Sequence, residues 1–469
     1  MKSLACISLV CAAVFWPSVV RCYGEPSRLP IKRHLHGHIT PEQVMTFLYE
    51  PFDVPPGVNS IYVLQNYTDK SLGNSLDIGI FDVRGHRIAD AQNGTSGWRG
   101  WSGGARSNFT ITPAWATPGY NPGPIQPGTW YVTLDIELGY NPVHEYFSTD
   151  YASTSLDPFP NAYENETWLR GDFHLHSIYS DGHYLPEEQI MNAVHRDLDF
   201  MFFTEHNTYS GNDVYGTWSS LAPDLLIGRG IEVTTRHGHW QALGVDRGQM
   251  IEWRYDPGDN PGLLDAMHQV RRGGGLVSIN HPFQLCSRCN WGFNDYDHND
   301  ALEVWNGQWD PTDELAVQKW QELLVSGKQT TGIGGSDAHS FPDVTALPTT
   351  VVRTRGKNQA DILDAVKKGH AYLVRDPGMS LDFLVHVGNA TAQMGDKIPS
   401  FYGNAKAILL TTGLKGLKAC FVSEKGCFSN RTISSATMTQ SFADVRFVRV
   451  EIRNATDAMV GLTNPVYFV

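Results

Sequence analysis

Between Gly171 and Ser340 the chain repeats one pattern: a short, mostly apolar run that reads as a strand and carries a histidine or a carboxylate at or near its end. GDFHLHSIYSDGH opens the series with His174, His176 and Asp181, and DFMFFTEHN follows with His206. Glu232 lies in GRGIEVTT, His239 in RHGHWQALG, His281 in SINHP, and Asp337 with His339 in GGSDAHS. His174 and His176 are two residues apart, as are Asp337 and His339, so on a strand each pair points to one face. Burying so many charged and imidazole groups is costly unless something compensates them, and metal ions do so. Core histidines unrelated to one another would not be expected at successive strand ends in chain order.

Helical stretches lie between these runs. PEEQIMNAVHRD has Pro186 in its first turn, NPGLLDAMHQVRRGG is ended by glycines, and PTDELAVQKWQELLVSG and NQADILDAVKKGH come later. Strands alternating with helices predict parallel strands and right-handed crossovers, as a barrel or as an open doubly wound sheet. Polar groups gathered at the C-terminal ends of successive strands favour the barrel, where active sites sit at that end. Imidazole nitrogen mixed with carboxylate oxygen suits zinc, manganese or iron, and the lack of cysteine among these residues argues against a closed structural zinc site.

The flanks have a different texture. From about Gly57 to Leu138 short alternating runs such as SIYVLQNY, SLDIGIFDV and TWYVTLDIEL are punctuated by Gly, Pro, Asn and Asp, which predicts a β-sandwich-like module over 25–165. The α/β region spans 166–375. Beyond it, SLDFLVHV, AKAILLTTG, KACFV and VRFVRVEIRN predict an all-β module over 376–469. A formal charge of -13 with no lysine and arginine cluster argues against a nucleic-acid partner.

Residues 1–24 read as a secretory signal: Lys2 precedes an apolar run from Leu4 to Trp16, and Val20 and Cys22 suit a cleavage site. Pro17 and Arg21 interrupt that run before it is long enough to span a bilayer, and no later segment is long and apolar enough. Asn-x-Ser/Thr acceptors at Asn66, Asn93, Asn108, Asn165, Asn389, Asn430 and Asn454 fit a eukaryotic secretory route, and none falls between Thr167 and Gly388. Removal of the leader leaves Cys286, Cys289, Cys420 and Cys427, for which two local disulfides are expected. Cys286-Ser-Arg-Cys289 has the alternatives of a metal site or a redox pair, though no second CxxC and no thioredoxin-like context accompany it.

Taken in order, HLHSIYSDG, FFTEHN, GIE, GH, NHP and GGSDAH resemble the polymerase and histidinol phosphatase (PHP) family of metallohydrolases, over roughly Trp168 to Arg375. The flanking WRGWSGGAR, ATPGY and TNPVYF resemble a multi-domain secreted branch that includes carbamate hydrolases. The resemblance implies a distorted (β/α)7 barrel holding two or three divalent ions. By it, His174, His176, Glu232 and Asp337 hold the first ion, and Asp181, His206 and His339 the second. Glu232 then bridges to a third with His239 and His281. Glu205 stands where the family commonly has Asp, in a supporting position. His237 competes with His239, and the family pattern, with a histidine directly before the apolar strand, favours His239. His183 in the turn is the alternative to Asp181 as a ligand, although a polar turn residue beside Gly182 is more often solvated; His195, His268 and His370 on helices take structural or surface roles, and Arg288 is open between contact with an anionic substrate and an ordinary surface role.

The implied chemistry is hydrolysis by a metal-activated hydroxide, with a small-molecule ester as substrate and a phosphate mono- or diester fitting best. Asp181 and His206 are the candidates for assisting the leaving group, and Arg236 and Arg353 for contacting an anionic substrate. Hydrolysis of a carboxyl or carbamate ester, or of an amide, is the alternative on the same site. A secreted binding protein with a retired site is the non-enzymatic alternative, against which the intact ligand set speaks. Nothing in the sequence sets the oligomeric state.

Overall fold

The fold comes from a computed structural model that describes residues 46–68, 74–138, 162–286, 288–399 and 403–469, with scattered positions between 35 and 43. The expected leader, residues 1–24, lies outside the described residues. Gln43–Val469 form one compact unit, mixed α/β and rich in strands.

In the middle region the strand Ala162–Asp172 is followed by the helix Pro186–His195, the strand Phe200–Phe203, a 3-10 segment Tyr215–Leu221 and the strand Leu226–Thr235. Next come the strand Gly238–Leu243, the helix Asn260–Arg272 and the strands Leu276–Ile279 and Ala301–Asn306. The helix Pro311–Val325 and the strand Thr331–Gly335 complete the series. The seven strands are neighbours in one sheet in chain order. The short ones, such as Phe200–Phe203 and Leu276–Ile279, are buried along their whole length, in keeping with their apolar sequences FMFF and, but for Ser278, LVSI.

Strict alternation of strand and helix does not hold. Only Arg236 and His237 separate Leu226–Thr235 from Gly238–Leu243, and Gly238 at φ 117° helps the chain reverse there, so Gly238–Leu243 is antiparallel to both neighbours. The other pairings in the series are parallel. Among the described residues no helix separates Leu276–Ile279 from Ala301–Asn306, because that stretch, with Pro282, Gly292 and the Cys286–Cys289 disulfide, lacks apolar helical spacing. Just past the first and seventh strands, a parallel bridge joins Leu175 to Ala338. Asp337 N donates to His174 O at 2.7 Å and His176 N to Ala338 O at 3.1 Å, so the two strand ends lie side by side.

The helices begin where their caps dictate. Asp310 accepts from Thr312 N at 2.6 Å ahead of Pro311, Asp259 from Gly262 N at 3.2 Å, and Asn358 from Asp361 N at 2.9 Å at the start of Gln359–Lys367.

On the N-terminal side Phe47–Val54, Gly128–Leu138, Asn74–Phe81 and Trp98–Trp101 form an antiparallel sheet in that spatial order. Ile78, Ile80, Phe109 and Trp130 form a core of their own. Phe81, Trp98 and Trp101 instead share a core with Trp240 and Trp253 of the middle region. Beside them buried Arg254 grips Glu252 through two contacts of 2.7 Å and donates to Tyr49 OH and His86 O, each at 2.8 Å.

On the C-terminal side Thr349–Gly356 pairs with Ala162–Asp172, and Ala371–Val374 carries the same sheet on to Met459–Thr463, Phe447–Arg453, Lys418–Ser423 and Gly426–Thr432. The sheet of the middle region thus runs on past residue 375. A second sheet of Ala390–Gln393, Ser380–Val387, Ala405–Thr412 and Thr437–Phe442 packs against it through Leu381, Phe383 and Leu409 on one side and Phe421 and Val450 on the other. Both expected disulfides are present, Cys286–Cys289 in a loop and Cys420–Cys427 across a hairpin.

Candidate metal centre

The ends of the middle strands deliver their polar side chains to one place. His174 and His176 follow the strand Ala162–Asp172 on alternate residues, and Asp172 fixes their backbone by accepting from His174 N, Ser336 N and Ala346 N at 2.8–3.1 Å. The turn after His176 returns on itself at Gly182, where a Cβ would come within 2.7 Å of Ser177 N, and this brings Asp181 back toward the histidines. Gly335 is needed for a similar reason: its Cβ would stand 2.3 Å from His174 Cβ. Asp337 and His281 both adopt positive φ, 49° and 21°, conformations that L-residues hold only when their surroundings impose them.

Glu232 stands at the centre. Its Oε2 lies 3.3 Å from His174 Nε2, 3.2 Å from His176 Nε2 and 3.0 Å from His206 Nδ1. Its Oε1 lies 3.1 Å from His281 Nε2 and 3.2 Å from His239 Nδ1. Asp337 Oδ1 is 3.2 Å from His174 Nε2 and 3.1 Å from His176 Nε2, and Asp181 Oδ1 is 3.5 Å from His206 Nε2 and 3.2 Å from His339 Nε2. His174, His176 and Glu232 are buried, whereas the Asp181 side chain is 43 % exposed, so the group opens outward toward Asp181.

Four of the innermost atoms, His174 Nε2, His176 Nε2, Glu232 Oε2 and Asp337 Oδ1, are buried without a hydrogen-bond partner although they face one another. Buried polar atoms are nearly always satisfied, and two imidazole nitrogens with two carboxylate oxygens form a donor set that a divalent transition metal fits. His176, Asp181, His206 and His339 make an adjoining group of that kind, and His206, Glu232 and His239 another.

The electrostatics divide the imidazoles. Burial works against charge on His174, but Asp337, Glu303 and Glu232 hold its ring well above the ordinary histidine value. Against the same burial, Asp181 and Asp337 push His339 up to about 10. Burial drives His206 down to about 4. Burial would raise Glu232 and Asp337, yet the surrounding histidines, His174 foremost, hold both well below the usual carboxylate range. Negative charge is thus held in the interior, balanced by protons that a cation could replace.

Outer partners complete the centre, and sequence reasoning passed over several of them. Glu303 Oε1 lies 2.8 Å from His174 Nδ1, which orients the ring with Nε2 toward Glu232, and its Oε2 accepts from His281 N at 2.9 Å. Asn280 donates to Glu232 Oε1 at 2.9 Å. The only sign of Glu303 in the sequence is a charged residue within the apolar run ALEVWN. Glu205 accepts from Ser177 N at 3.1 Å, from the hydroxyls of Ser177 and Ser180 at 2.5 Å each, and from Tyr215 OH, and so holds the turn that carries Asp181.

Other predicted positions lie elsewhere. Arg353, expected to meet an anionic substrate, is engaged by Glu166 at 3.0 Å and by Asp396 at 3.4 Å. Arg236 lays its guanidinium over the Phe47 ring at 3.7 Å, beside Asp256. His237 points to Asp256 at 3.4 Å, while His239 meets Glu232. The side chains of His183, His195 and His268 are exposed, and His370 faces Asp396. Of the asparagines in the Asn-x-Ser/Thr sequons, Asn66, Asn93, Asn165, Asn389 and Asn430 are exposed, and Asn108 and Asn454 are half-buried. Among the described residues no helix is long and apolar enough to cross a membrane.

No family model matches the chain, and no curated protein matches it. Among solved structures it is similar to a two-domain protein from Bacteroides vulgatus ATCC 8482 containing a predicted PHP-like metal-dependent phosphoesterase, with 19% identity and a TM-score of 0.40 over 68% of this chain and 100% of that one. A candidate metal-dependent phosphoesterase from Bifidobacterium adolescentis ATCC 15703 matches at 15% identity and a TM-score of 0.29, over 40% of this chain and 92% of that one. An amidohydrolase from Chromobacterium violaceum, with bound sulfate and no metal, matches at 18% identity and a TM-score of 0.28, over 37% of this chain and 89% of that one.

Proposed function

We propose that the chain is a secreted, glycosylated metal-dependent hydrolase of the PHP kind, with its site on a distorted (β/α) barrel, acting on small phosphate mono- or diesters. The observation that carries the reading is the convergence of four buried, unsatisfied atoms from His174, His176, Glu232 and Asp337. These residues would hold one divalent ion, Asp181, His206 and His339 a second, and Glu232 with His239 and His281 a third. Zinc, manganese or iron bound there would supply Lewis acidity and a water acidified enough to attack at neutral pH.

The chain's own residues prepare this chemistry. Glu303 and Asn280 fix His174 and Glu232, so the donors stand ready before any ligand arrives. Glu205 holds the turn that presents Asp181 at the open side. There Asp181 and His206 stand 3.5 Å apart, and whichever of them is not holding the second ion would be the candidate to assist a departing alcohol. The two disulfides and the sequons support an oxidising, secretory setting.

One observation favours a carboxyl or carbamate ester as a second reading. The arginine expected to grip a phosphate, Arg353, is occupied by Glu166 and Asp396. Purified protein is therefore assayed with manganese or zinc on p-nitrophenyl phosphate, bis-p-nitrophenyl phosphate and p-nitrophenyl acetate, beside His174→Ala and Asp337→Ala. Turnover of either phosphate, lost in both variants, is the expected result. Turnover of acetate alone transfers the assignment to the second reading, and none on any substrate refutes the enzyme.

A further inference from the structure

The Cys286–Cys289 loop lies against the outer histidines of the centre. Ligand atoms of His239, His281 and Cys289 all fall within 4.8 Å of one another, and the three residues are buried. His281 gives its Nε2 to Glu232 at 3.1 Å, and its Nδ1 is buried with no hydrogen-bond partner. In the disulfide, the Cys289 sulfur is bonded to Cys286 and carries no charge for a cation. As a thiolate it would be a strong, soft donor beside two imidazoles.

We propose that this disulfide conceals a redox-gated cation site: once it is reduced, Cys289 joins His239 and His281 in binding a borderline-soft divalent cation of the zinc class. One thiolate with two imidazoles selects zinc, cobalt or cadmium over magnesium or calcium. The conversion needs a dithiol reductant. The dithiol closes to its own disulfide while the Cys286–Cys289 bond breaks, and its two protons pass to the two cysteine sulfurs. The Cys289 proton then leaves to solvent as the cation binds.

The fold allows the change, because the disulfide closes only a short loop with a sequence separation of 3. The ends of that loop are pinned by backbone hydrogen bonds, Trp291 N to Pro282 O at 2.9 Å and Gly292 N to His237 O at 2.7 Å. The inference uses the positions of His239 and His281 and does not depend on the hydrolytic reading.

The test is cobalt binding by the full-length chain, read as sulfur-to-cobalt charge-transfer absorption without substrate. The oxidised protein is expected to lack the band. Cys286→Ser, which leaves Cys289 as a thiol without added reductant, is expected to show it, and Cys286→Ser/Cys289→Ser and Cys286→Ser/His281→Ala to lose it. An unchanged circular dichroism spectrum together with equal absorption in Cys286→Ser and Cys286→Ser/Cys289→Ser overturns the proposal.

Reduced wild-type protein gives a second readout that needs no variant. Peptide mass spectrometry after alkylation should find Cys289 protected by zinc and Cys286 unprotected. Alkylation of Cys289 at the same rate with and without zinc also overturns it.

Discussion

Both carboxylate oxygens of Glu232 face imidazoles, Oε2 toward His174, His176 and His206 and Oε1 toward His239 and His281. Its substitution should therefore affect more than one ion. Glu303 acts through His174, so Glu303→Gln is expected to weaken metal affinity by about 10–100-fold with little change in fold, measurable by competition with a metal indicator. Acid should oppose metal binding: His174 and His339 are held above the ordinary histidine value by their carboxylate neighbours, and a cation must displace those protons. Affinity should rise with pH across neutrality, and calorimetry in buffers of different ionisation enthalpy should detect proton release. The candidate ligands are legible in the sequence because they stand in, or just past, short apolar runs: His206, His281 and Asp337 beyond strand ends, Glu232 within Leu226–Thr235 and His239 near the start of Gly238–Leu243. Glu303 is not, since one charge inside ALEVWN has many meanings, and neither are the partners of Arg353, because the sequence does not show which face of its strand it occupies.

The helices are legible from their caps: Asp259, Asp310 and Asn358 each stand just before the helix they begin. Asp310→Ala should cost about 1 kcal/mol in thermal or urea unfolding. The hairpin of Leu226–Thr235 with Gly238–Leu243 is less legible, because RHG marks a turn without telling whether a crossover follows. The strand Ala371–Val374 offers a pH test. Burial pushes the Tyr372 phenol up to about 12 from 10.0, so the folded state keeps the proton longer than the unfolded chain. The stability this contributes is complete below about pH 10 and is lost as pH rises toward about 12. Tyr372→Phe should flatten that alkaline fall by on the order of 2 kcal/mol, read from urea midpoints.

Across the whole molecule the flanking sheets are joined to the α/β region through buried contacts that no periodicity announces. Phe81, Trp98 and Trp101 pack with Trp253, and Arg254 links Glu252 to Tyr49 and His86, which lie far apart in the chain. Arg254→Ala leaves Glu252 as an uncompensated buried charge and should destabilise the protein by about 3–5 kcal/mol. Alternation showed that the flanks are β-rich, but it could not show that the sheet of the middle region continues through Ala371–Val374 into Met459–Thr463, because strand partners distant in sequence leave no local trace. What unites these layers is the centre that the middle strands converge on. The most direct test is metal content by mass spectrometry alongside p-nitrophenyl phosphate turnover, for wild type and Glu232→Gln. The wild type should hold two or three divalent ions per chain and turn over substrate, and Glu232→Gln should lose both with its circular dichroism unchanged. A metal-free wild type, or a Glu232→Gln variant that keeps full metal content and turnover, would contradict the account.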